Sequence, residues 1–147
     1  MKQISCLLLV LLLAGSAGST YCQTADPESA TVHFYRLKES MMSGGTGMNV
    51  KIYFADKEIG SMMTNTRFSY KLLSTGPIKI KCVGEMAGGA IGTPYVVTMN
   101  LEKGKEYHIA LACGSMTGVK GQILEEKDMK KYLKNEYADS VIAEEKK

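Results

Sequence analysis

The chain lacks a strong charge of either sign. Its 18 Lys and Arg stand against 15 Asp and Glu, a formal +3 that falls to +2 once Lys2 leaves with a leader. Charges of both signs are mixed along the sequence, too weak a field for a nucleic-acid binder. Tryptophan is absent and proline occurs only three times. After residue 22 no apolar run approaches the roughly 18 residues that a membrane-crossing helix needs, so nothing there holds the chain in lipid. The four cysteines form no C-x-x-C pair, which excludes redox and zinc motifs of that spacing. The mature chain also lacks G-x-S-x-G, since Ser115 has Cys113 two places before it, and it lacks the glycine patterns that cradle phosphate.

What is present begins at the first residues. Lys2, the apolar run Cys6 to Leu13 and the small-residue segment Ala14 to Thr20 form a secretory signal peptide over 1–22, too short to act as a membrane anchor. The expected location is therefore extracytoplasmic, in the periplasm or secreted. Acylation of Cys22 is the less favoured alternative, because bulky Tyr21 stands where a lipoprotein signal needs a small residue. About 125 residues remain, the size of one domain with its own core. Cys82 and Cys113, 31 residues apart, either pair as a disulfide or sit as two small buried apolar side chains.

Residues 23–29 read as a flexible lead-in, and the pattern then changes to period two. Val32 and Phe34, then Val50, Ile52 and Phe54, then Phe68, Tyr70 and Leu72 each mark one face of a strand. Ile78, Ile80 and Cys82 continue the series, as do Tyr95, Val97, Met99 and Leu101, and Tyr107, Ile109, Leu111 and Cys113. Ala55-Asp56-Lys57-Glu58 and Glu102-Lys103-Gly104-Lys105 supply tight turns. Segments 37–49 and 84–94, rich in glycine, read as loops. Met129, Tyr132 and Leu133 then fall at helical spacing, with Glu126 four residues before Lys130. The expectation is an all-β antiparallel β-sandwich of about eight strands over 30–137, closed by a short C-terminal α-helix, with 138–147 a charged, frayed tail. A closed barrel of the same strand count is the competitor.

Four segments resemble a bacterial family of exported β-sandwich domains known as domain of unknown function 2846, itself similar to PEGA-type surface modules. They are Val32-His33-Phe34-Tyr35-Arg36, the run from Val50 to Gly60, the restart Gly76-Pro77-Ile78-Lys79-Ile80, and Leu101 to Ile109. Leu37 replaces a proline usual in that family, and Lys57 a turn glycine. The resemblance implies an exported, non-catalytic β domain, often lipid-anchored, with no catalytic residues to carry over.

His33 and His108 lie on strands among apolar neighbours with no partner visible in the sequence, and both read as structural. No catalytic residue, metal ligand or cofactor is expected. The methionines near loops could hold Cu(I) through their thioethers, but gap-filling and adaptable contact are the more direct reading. The expected function is a non-enzymatic binding or assembly module of the cell envelope, gripping a protein, peptide, lipid or glycan through Met41, Met42, Met48, Met86 and Tyr95. Membrane association would need an acylated Cys22 or docking of the C-terminal helix. The alternatives are an exported hydrolase whose groups converge only in the fold, and a structural surface subunit pairing through edge strands.

Overall fold

A computed structural model of the protein describes residues 28–38 and 47–145. The expected leader over 1–22, with Cys6 and Cys22, and Met41 and Met42 lie outside the described residues. The elements are β1 (Ala30–Arg36), β2 (Asn49–Phe54), β3 (Lys57–Met62), β4 (Thr66–Leu72), β5 (Gly76–Met86), β6 (Gly89–Leu101), β7 (Glu106–Gly114), β8 (Gly118–Ile123), α1 (Glu126–Leu133) and β9 (Asp139–Glu144). The all-β expectation holds. The nine strands form one sheet in the order β3-β2-β5-β6-β8-β7-β1-β4-β9, curled until it is nearly closed like a barrel.

Bulges between Ile52 and Tyr53 and between Cys82 and Gly84 add local twist, and extra twist is what curls a sheet. The seam between β6 and β8 is a single bridge, Thr93 opposite Gly118. Opposite it, β3 comes against β4 because Gly60 has no side chain: a Cβ there would lie 2.6 Å from the Phe68 ring. The apolar phase of each strand faces inward, so Phe34 meets Phe54 and Phe68 at centroid distances of 6.1 and 6.2 Å, and Phe54 meets Tyr70 edge-on at 5.4 Å. Val32, Phe34, Val50, Ile52, Ile80 and Ile109 are wholly enclosed, and burying each such side chain is worth about 1.5–3 kcal/mol. Arg36 closes one end of this interior. It is fully buried, and its guanidinium donates to the carbonyls of Met48 (2.7 Å) and Met62 (3.4 Å), tying β1 to β2 and β3.

Several expectations need correction. Three pairings are parallel, not antiparallel: β1 with β7, β4 with β9, and the single bridge of β6 with β8. The segment read as a frayed tail contains β9: Val141, Ile142 and Ala143 lie among its charges, and the strand pairs with β4 from Thr66 to Lys71. Residues 84–94 are the far end of the β5–β6 hairpin, held by ladder pairs out to Met86–Gly89 with Ala87 and Gly88 at positive φ in the turn. Cys82 and Cys113 are both buried and form no disulfide with each other: Cys113 Sγ lies against Gly84, where a Cβ would be 2.9 Å away, two residues along β5 from Cys82. Burial pushes the Cys82 thiol up to about 12, which keeps it inert. Leu133 is 52% exposed, so the helix packs through Met129 and Tyr132 alone, with Tyr137 beside them.

Candidate functional site

The outer face of β1 is as buried as its inner face, unlike that of β2, where inward and outward positions alternate between buried and half-buried. Pairing registers give the reason. One row across the sheet reads Ile142, Ser69, His33 and His108, and the next reads Ser140, Arg67, Tyr35, Ala110 and Gln122. Glu106 lies two residues before His108 on β7 and therefore on the same face. Tyr35 also packs under α1, its ring 5.8 Å from Tyr132 and 6.0 Å from Tyr137, so the helix roofs one side of this polar patch.

The imidazoles of His33 and His108 stack at 4.8 Å with their planes 18° apart. Each has its Nδ1 engaged: His33 hydrogen-bonds the Ser69 hydroxyl at 2.8 Å, and His108 bonds the Tyr35 hydroxyl at 2.8 Å. Arg67 adds a 3.3 Å contact to His33 Nδ1 and lies 5.6 Å over the Tyr35 ring. Both Nε2 atoms turn toward one carboxylate, with Glu106 Oε2 at 3.6 Å from His33 and 3.9 Å from His108. His33 Nε2 is buried and makes no hydrogen bond.

Burial pushes His33 down to about 3, helped by the neighbouring His108 and Arg67 charges, and pushes His108 down to about 4, helped by Arg67. Both rings are therefore neutral at pH 7. Burial also raises the Tyr35 phenol to about 12, so it stays protonated and serves either tautomer of His108. The cluster combines neutral imidazoles with a part-exposed carboxylate, a set able to hold a proton or a cation.

The expected alternative of hydrolase chemistry finds its contact here, since His33 reaches a serine hydroxyl. The surroundings oppose it: His33 is 2% and Ser69 3% exposed, and an acyl group has no path to a hydroxyl so enclosed. The sequence reading made both histidines isolated structural residues, and the fold instead stacks them. The signal for half of this was available, because Glu106 and His108 stand at i and i+2 of a strand. His33 joins them through a parallel pairing 75 residues away that no local pattern announces.

Of the five residues expected to grip a ligand, Met41 and Met42 lie outside the described residues, and Met48, Met86 and Tyr95 do not share one surface. Met48 is wholly buried and presents its carbonyl to Arg36, so it is withdrawn from that set. Tyr95 is half-buried, its ring pressed onto Gly121. Met86 is 51% exposed at the tip of the β5–β6 hairpin, and Met116, in the β7–β8 turn, is 91% exposed. Gly92 and Gly118 bring those two hairpins into backbone contact, so both methionines stand at one end of the sheet.

Two open clefts, of about 250 and 240 Å³, lie between α1 and the outer face of β7 and β8 and share Gln122 and Tyr132. Neither is lined by His33, His108 or Glu106. Among the described residues no helix is long and apolar enough to cross a membrane. The chain matches no protein-family model, no curated protein and no solved structure, and the site is read from its own geometry.

Proposed function

We propose that this protein is an exported, non-enzymatic binding or assembly module of the bacterial cell envelope, and that the likeness of its hairpins to the exported 2846 family reflects that role. We also read the curled sheet as two packed layers, β3-β2-β5-β6 facing β8-β7-β1-β4-β9, joined along β6 and β8. The observation carrying the functional reading is the pair of adjacent hairpin ends with Met86 and Met116 exposed on a ladder-braced base. Flexible thioether side chains on a rigid β scaffold suit adaptable apolar contact.

Capture from envelope extract tests it. Neither Met86 nor Met116 belongs to the buried core, so the double replacement Met86→Glu with Met116→Glu is expected to abolish recovery of bound partners while leaving thermal stability within about 0.5 kcal/mol. Equal recovery by the variant contradicts this placement of the contact surface. The structural-subunit reading is favoured by one observation, the outermost strand β9 with Val141 and Ile142 exposed. Concentration-dependent oligomers in size exclusion would support it.

A further inference from the structure

We infer that His33, His108 and Glu106 form a binding site for one divalent transition-metal ion of the zinc type, held through the two Nε2 atoms and a Glu106 carboxylate oxygen. The three ligand atoms lie within 4.8 Å of one another, the nearest pair 3.6 Å apart. An ion bonded tetrahedrally at about 2.0–2.1 Å to each would set them about 3.3 Å apart. Closing the site takes changes of the order of 1 Å in ligand separation together with rotation of the stacked imidazoles, now 18° from parallel, out of their stack until both ring planes meet at the ion. Two imidazoles and one carboxylate are a donor set that suits zinc-type ions, with a position left open for water.

The surroundings have the features that accompany metal-bound histidine. Each Nδ1 is held by a hydroxyl, Ser69 for His33 and Tyr35 for His108, and a hydroxyl accepts the Nδ1 proton when Nε2 carries the metal; at His33 the Arg67 guanidinium, which only donates, must then leave its 3.3 Å contact with Nδ1. His33 Nε2, enclosed and without a hydrogen bond, points at the carboxylate from a distance too long to bond it. An ion between them would satisfy both. Glu106, with its side chain 30% exposed, gives the route in from solvent. Arg67 opposes binding with its charge near His33, and Glu106 offsets that charge. Neither the methionine-bearing hairpins nor the clefts beside α1 take part, so this inference is independent of the proposed contact surface.

Calorimetric titration of the purified, chelator-stripped protein with zinc ion decides the matter, with cobalt(II) absorption as the geometric readout. The expected result is one ion per chain, a rise in thermal midpoint on adding zinc, and a visible cobalt band that changes when zinc displaces it. Glu106→Gln keeps the size and hydrogen-bonding shape of a part-exposed side chain and is expected to fold. Loss of outer-shell partners alone costs about 10–100-fold in metal affinity, so losing this ligand weakens binding at least about 10-fold. His108→Gln is expected to do the same, and if that variant does not fold, Glu106→Gln decides. Absence of saturable binding overturns the inference. Binding undiminished in Glu106→Gln also overturns it, because the ion is then held elsewhere.

Discussion

Lowering the pH from 7 to 5 is expected to remove about 4 kcal/mol of folding stability from the metal-free protein, through His33 and His108 alone. In the unfolded chain both imidazoles titrate near 6.5, whereas in the fold burial holds them down to about 3 and about 4. Between these values the unfolded chain binds more protons than the folded one, so stability falls as protons are added. The contribution is present above about 6.5, is lost by up to about 3 kcal/mol per pH unit while both groups are unequally protonated, and levels off below about 3. Arg67, fixed beside the pair, sharpens the effect by repelling a second positive charge. A domain of this size has about 5–15 kcal/mol in total, so the loss is large. Urea midpoints measured at pH 7 and pH 5 in the presence of chelator check it. Equal midpoints would mean that the imidazoles are not withdrawn from water.

Gly118→Val is expected to cost at least about 3 kcal/mol or to prevent folding. Gly118 has a φ of +78°, a region costly for a β-branched residue, and a Cβ there would overlap the backbone N and O of Thr93. That overlap falls on the one bridge joining β6 to β8, so the substitution opens the sheet where its continuity is thinnest. Gly88 provides the comparison. Its φ of +82° is similar but nothing lies within 4 Å of its Cβ position, so Gly88→Ala is expected to cost only about 1–2 kcal/mol. Thermal unfolding of the two variants separates conformational cost from steric collision. Similar losses in both would contradict this account of the seam.

Much of the strand content is legible in side-chain alternation, and the reason is physical. Val50, Ile52 and Phe54 had one face to bury, and their turn at Ala55 and Asp56 adopts the left-handed backbone that Asp56 suggested. Tyr107 to Cys113 behave likewise. Alternation carries no information about which strand lies beside which, so the parallel pairings of β1 with β7 and β4 with β9 were hidden. The candidate site was hidden with them, since His33 meets His108 only across the first of these pairings. Composition misled at the C-terminus, where Glu144, Glu145 and the lysines beyond mask an apolar Val141-Ile142-Ala143 strand core. Glu145 even anchors the strand's end, accepting bonds from the backbone of Leu73 and Ser74 at 2.9 and 3.1 Å. Loop appearance misled at residues 84–94, because glycine that frees a loop also permits a tight hairpin turn.

The central claim is that the fold draws two imidazoles out of water onto one carboxylate-bearing face. Nitrogen-15 correlation spectra of the histidine side chains, followed from pH 7.5 to pH 4 without metal, test it most directly. Both rings are predicted to remain neutral through pH 5, with His108 protonating near 4 and His33 lower still. Titration of either ring near its ordinary value of 6.5 would contradict the account.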